Sequence, residues 1–93
     1  MIPKSFQILG HTIKVKITDN VPENSVGEWK GNQNVIHIRP VGDDMPESLQ
    51  EQTFWHEVVH CIFSTLNYDK HDKDEQLVDL IAGCLHQIDK TKK

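Results

Sequence analysis

The sequence has no surplus of positive charge, no long apolar run, few cysteines and few aromatic rings. Each shortage narrows what the chain can do. Lys and Arg number 10 against 14 Asp and Glu, a net charge of −4, and the pI is ≈ 5.8. No basic field is present to draw nucleic acid or an anionic membrane. Aromatic residues are 6% of the chain and make no base-stacking platform, so nucleic acid is not expected as a partner. No apolar stretch approaches the roughly 20 residues of a spanning helix, and Met1-Ile2-Pro3-Lys4-Ser5-Phe6 lacks the apolar core of a secretory signal. No membrane partner is expected either. Cys61 and Cys84 both fall in segments of helical spacing and make no disulfide framework. Cys61 lies in an apolar stretch where free thiols pack as small hydrophobes, although a single buried disulfide stays open. Reduced thiols in the cytoplasm are the default expectation.

At 93 residues the chain reads as a single domain, 1–93. A domain of this size buries a modest core, and a bound metal would help to hold it together. Its two halves differ in period. Phe6, Ile8, Ile13, Val15 and Ile17 alternate with polar residues, which is strand spacing. Gly10-His11 suits a two-residue turn with glycine first, pairing Ile8 with Ile13 and Phe6 with Val15. A second hairpin is expected over 26–39, turning through Gly31-Asn32-Gln33-Asn34, and Pro40 stops it. Asp44 and Glu47 have capping-box spacing ahead of a helix over about 46–66. A connection over 67–71 leads to a second helix over about 73–88, with Leu77, Leu80, Ile81, Cys84, Leu85 and Ile88 as its apolar stripe. The tail Asp89-Lys90-Thr91-Lys92-Lys93 is polar and expected to fray. The expected fold is α+β: a small antiparallel sheet of two hairpins followed by a two-helix hairpin.

The first helix carries His56-Glu57-Val58-Val59-His60, an H-E-x-x-H pattern. Histidines four apart sit one turn above each other on one helix face, so both imidazoles can reach a single ion. Zn(2+) favours such nitrogen ligands, and a catalytic site needs three protein ligands plus an open position. Glu57 lies beside that face and can accept a proton from water there. Coincidence on a solvated helix is the bland reading, but Thr53-Phe54-Trp55 and Cys61-Ile62-Phe63 flank the motif without a charge. Such flanks bury the helix and keep water from the far side of the ion.

The run from Thr53 to Ile62 resembles the extended zincin signature, and Glu75-Gln76-Leu77-Val78-Asp79 is similar to the second metal helix of gluzincins. The short length resembles minimal bacterial and phage peptidases of the ImmA/IrrE type, in which Ala82 would match a small residue after the ligand helix begins. The resemblance covers about 52–85. It implies a minimal zincin fold, His56, His60 and Glu75 as metal ligands, and Asp79 orienting His56 through its ring N–H. It also implies a catalytic tyrosine between the metal helices, the interval in which Tyr68 lies; helix-end packing is the plainer role for that ring. Geometry alone leaves the third ligand open. Asp79 can lie level with His60 and take the ligand role, and His71, Asp74 and His86 remain alternatives. Asp72 and Glu75 have capping-box spacing, so Glu75 can instead close a helix start. His11 reads as a turn residue and His37 as facing out from a strand.

These residues together point to zinc-dependent peptide-bond hydrolysis, an endopeptidase in preference to an exopeptidase, with peptide or protein as substrate and Glu57 as general base. The run Val35-Ile36-His37-Ile38-Arg39 is either an edge strand that could pair with substrate backbone or an interior strand. The competing class is a non-proteolytic metal-binding regulatory or interaction module on the same scaffold. Glu57 separates the two, because a closed structural site has no use for a carboxylate beside the ion.

Overall fold

A computed structural model describes residues 2–93. The fold is α+β, with a four-stranded sheet followed by three helices. The first hairpin joins β1 (Ser5–Ile8) to β2 (His11–Ile17). The second joins β3 (Gly27–Lys30) to β4 (Val35–Ile38). Each of these consecutive pairs is antiparallel, but the sheet they make is mixed, not antiparallel. Its order is β1-β2-β4-β3, and β2 pairs with β4 in parallel. The chain leaving β2 crosses the end of β4, where the Thr18 N–H donates to the Ile38 carbonyl at 2.8 Å, and returns as β3 on the far edge.

This topology makes β4 interior, and all four of its residues are buried. The almost unbroken apolar run Val35-Ile36-His37-Ile38 suits a strand covered on both faces. His37 therefore does not face solvent. Its Nδ1–H donates to the Asn20 carbonyl at 3.0 Å, which satisfies the polar ring inside the loop over 18–26. The first turn also differs from expectation. It is Leu9-Gly10, both at positive φ (46° and 83°), and the register is Ile8 with His11 and Phe6 with Ile13. Two positive φ values match the right-handed twist of the strands, and only glycine adopts them freely.

Helix α1 spans Glu47–Thr65. The Asp44–Glu47 capping box does not form; Pro46 is the N-cap, without a side-chain hydrogen bond. Gly42 and Met45 instead exchange backbone hydrogen bonds of 3.0 and 3.1 Å, which drives the Met45 side chain into the core. At the other end Asn67 takes a left-handed φ of 61°. The Tyr68 N–H then reaches the Phe63 carbonyl at 2.8 Å and the Asn67 N–H that of Ser64 at 3.1 Å, a Schellman stop. The connection holds a short helix, α2 (Asp69–Asp72), before α3 (Glu75–Thr91). Helix α3 continues through most of the tail expected to fray.

One face of the sheet packs Ile13, Val15, Ile36 and Ile38 against Met45, Phe54, Val58 and Cys61. Phe6 meets Phe54 edge to face. On the other side of α1, Val59 packs against Val78 and Ala82 of α3. Helix α3 is thus rotated from the expected stripe: Leu80 and Ile88 are 62% and 61% exposed. The small pair Val78 and Ala82 lets the helices approach closely, and this rotation turns Glu75 and Asp79 toward α1. Cys61 is buried, Cys84 is exposed, and both are free thiols with no disulfide. Among the described residues no helix is long and apolar enough to cross a membrane.

Candidate metal centre

His56 and His60 lie one turn apart on α1 with ring centroids 4.9 Å apart. Each ring is held from behind by a carboxylate. The His56 Nδ1–H donates to Asp79 Oδ1 at 2.7 Å, and the His60 Nδ1–H donates to Asp72 Oδ1 at 2.8 Å. Because a carboxylate only accepts, these bonds fix a proton on Nδ1, so that in the neutral form of each ring it is Nε2 that carries the lone pair. Both free nitrogens face one carboxylate: His56 Nε2 is 3.2 Å from Glu75 Oε2, and His60 Nε2 is 3.0 Å from Glu75 Oε1. Ligand atoms of the three residues all lie within 4.8 Å of one another.

The donor set fits a divalent ion of the zinc type. A tetrahedral shell of about 2.0–2.1 Å bond length separates neighbouring ligand atoms by about 3.3 Å, close to the two nitrogen–oxygen distances here. The tautomers fit as well, since an ion needs the unprotonated nitrogens and these are the ones turned inward. The Glu75 side chain is 64% exposed, so the cluster opens to solvent on the side away from α1.

Glu75 is free for this position because Asp74 caps α3, accepting from the Leu77 N–H at 3.1 Å. The Asp72–Glu75 capping box is absent. Asp72 turns back to His60, a role that sequence reasoning missed, and Asp79 meets His56 and not the level of His60. The signal for Asp72 was only a carboxylate in the connection, with nothing local to aim it. Tyr68 is 55% exposed and its ring lies 5.5 Å from that of His71. Neither residue lines the hollows beside the cluster. His11 begins β2, and His86 faces Glu51 at 3.5 Å.

Glu57 is 7% exposed, next to His56 on α1. Burial raises its carboxyl pKa above the usual value, partly offset by His56 and His60, while Glu75 adds to the rise and the Trp29 backbone N–H donates to it. Burial alone would lower the His60 pKa, but the Asp72 hydrogen bond and the charges of Glu57, Glu75 and Asp72 outweigh it and raise it. Two hollows of about 310 and 450 Å³ meet at His56 and Glu57. Leu49, Gln52 and Thr53 line the first; Pro22, Trp29 and Asp72 line the second. Ser25 and Gly27 border both. Ser25 is fixed by Arg39, whose Nε donates to its carbonyl at 2.6 Å.

Comparison with known proteins yields no relative: no protein-family model matches the chain, and no curated protein or solved structure does.

Proposed function

We propose that this chain is a zinc-dependent endopeptidase on a minimal zincin scaffold, acting on extended peptide or protein segments. The observation that carries the reading is the convergence of both free Nε2 atoms on Glu75, with the buried Glu57 carboxylate alongside. His56, His60 and Glu75 would hold Zn(2+), while Asp79 and Asp72 keep the two imidazoles in the ligating tautomer. When bound, the ion supplies Lewis acidity, making water a nucleophile near neutral pH and polarising a carbonyl.

Glu57 takes the proton of the attacking water and returns it to the leaving nitrogen. Its burial raises its proton affinity above that of an ordinary carboxylate, which suits a group that must both accept and release. The substrate guide is β3, the edge strand, and not the interior run 35–39. The Arg39 N–H bonds the Val26 carbonyl at 3.0 Å, so in the antiparallel ladder the backbone of Glu28 also faces β4. Gly27 and Trp29 therefore turn their backbone groups outward; the Trp29 N–H is taken by Glu57, which leaves the Gly27 N–H and C=O and the Trp29 C=O for a partner. An extended peptide can add to that edge, and hollows on both sides of Glu57 leave room for chain beyond the cut on either side. This supports internal over terminal cleavage. The exposed side of Glu75 favours an open site over a closed structural one, and two free thiols suit a cytoplasmic setting.

Metal analysis of the purified protein tests the centre: about one zinc per chain is expected, and His60→Ala should remove it. Digestion of a peptide library tests the chemistry. Glu57→Gln should keep the zinc and lose about 10²–10⁴-fold in turnover; equal cleavage by that variant would refute the assignment.

A further inference from the structure

Gly27 sits where β3 passes over α1, and its surroundings leave no room for a side chain. A Cβ there would lie 2.6 Å from Thr53 Cγ2, 3.3 Å from the His37 carbonyl oxygen and 3.4 Å from Glu57 Cγ. Its φ is not in the left-handed region, so glycine is needed here for the approach and not for backbone freedom. The Thr53 methyl cannot easily swing aside. Thr53 is buried, and its Oγ1 donates to the Leu49 carbonyl at 2.8 Å, which holds the rotamer.

We propose that Gly27 is a positioning residue whose bare Cα, resting on the Thr53 methyl, sets the height of the β3 edge above Glu57. Two consequences follow from that height. The Trp29 N–H, two residues along the same edge, reaches the Glu57 carboxylate and fixes where that carboxylate points. The outward N–H and C=O of Gly27 lie at the junction of the two hollows, beside His56 and Glu57. The second consequence rests on the peptidase reading; the first does not.

A methyl group at residue 27 makes the effect measurable. To move from 2.6 Å to an ordinary contact of 3.4 Å, strand and helix must separate by about 0.8 Å. A misplacement of that size in a catalytic constellation lowers rate by about 10–100-fold. The offending atom can also be removed: Thr53→Ser deletes Cγ2 and keeps the Oγ hydrogen bond to Leu49.

The experiment compares the zinc-loaded parent, Gly27→Ala, Thr53→Ser and the double variant. It reads kcat and KM on a cleavable peptide, zinc content, and amide hydrogen exchange at Trp29. Gly27→Ala should lower kcat by about 10–100-fold at unchanged zinc content and speed exchange at the Trp29 amide. The double variant should recover most of both, since only the 3.3 Å approach to the His37 carbonyl oxygen then stays tight. Parent-like kcat and protection in Gly27→Ala would overturn the proposal, and so would a double variant that stays impaired. If Gly27→Ala does not fold, the double variant decides alone, since relief of the clash requires it to fold and protect Trp29. If the parent cleaves no peptide, the peptidase reading falls, and the Trp29 amide still tests the spacing.

Discussion

Replacing Asp72 by Asn removes a charge from the back of His60 while leaving its volume nearly unchanged. In the native chain the Asp72 carboxylate accepts the His60 Nδ1–H at 2.8 Å, from a side chain that is largely buried. One effect is lost and a second weakened, because the Asn amide can turn either its oxygen or its NH2 to the ring. The carboxylate makes Nε2 a stronger donor to a cation, and it holds the tautomer that exposes that lone pair. Removing such a partner weakens metal binding by about 10–100-fold, or about 1.4–2.7 kcal/mol. The same carboxylate raises the proton affinity of His60 in the metal-free protein. Zinc and proton compete there, so the parent begins to lose zinc at a higher pH than a histidine of ordinary pKa would. Asp72→Asn weakens both rivals. Its deficit should therefore be largest near pH 7.5 and shrink as the pH falls toward 6. Competition against a chromophoric chelator across that range measures it. Glu75→Ala removes a ligand outright and should lose more at every pH. If Asp72→Asn binds zinc like the parent at pH 7.5, or if its deficit grows on acidification, the reasoning about His60 is wrong.

Two further outcomes follow from the same groups and their supports. In metal-free protein both Glu57 and His60 have raised pKa values, so the folded state binds more protons than the unfolded one. Their stabilising effect is full below the unfolded values of 4.5 and 6.5 and is lost as pH rises through the higher folded values. Urea unfolding in chelator should show stability falling from mildly acid to neutral pH, and a rise over that interval would contradict it. Ala82→Leu adds bulk between α1 and α3, where Ala82 is 1% exposed. It should cost about 1–3 kcal/mol and weaken zinc binding by separating Glu75 from the histidines. Leu80→Ala on the exposed face should leave zinc affinity unchanged, as isothermal titration of the two variants would show.

What could be read from the chain depended on whether the signal was local. The placement of His56 and His60 on one helix face follows from a spacing of four, and the burial of the helix's other sides from uncharged flanks. Alternation marked β1 and β2, and the turn residues at 31–34 marked the join of β3 to β4. Alternation could not locate the first turn, because shifting the pairing by two residues leaves Phe6, Ile8, Ile13 and Val15 on the same face. Parallel pairing of β2 with β4 has no local signature, so the run at 35–38 could be read equally as an edge or an interior strand. Helix α3 carried two candidate faces. The expected stripe counted large apolar residues; the observed contact centres on Val78 and Ala82, whose small size allows close approach, with Ile81 and Leu85 of that stripe packed beside them. Asp72 was hidden for a related reason: its orientation toward His60 arises from the Schellman stop at Asn67 and the short helix after it.

The attachment of α3 shows why function and stability are hard to separate in so small a chain. Its buried apolar contact with α1 centres on Val59, Val78 and Ala82, with Trp55, Phe63, Ile81 and Leu85 packed half-buried around them. Beside that contact Glu57, Asp72, Glu75 and Asp79 gather around two imidazoles with no lysine or arginine lining either hollow. Without a cation, these negative charges repel across the α1–α3 interface, and His60 answers by holding its proton more tightly. A bound divalent ion would offset the repulsion and tie Glu75 of α3 to both histidines of α1. Zinc should then protect the backbone amides of α3 from hydrogen exchange more than those of β1 and β2, which do not touch the centre. Uniform protection across the chain would show instead that α3 unfolds only with the whole domain, and that the apolar contact alone is enough to hold it.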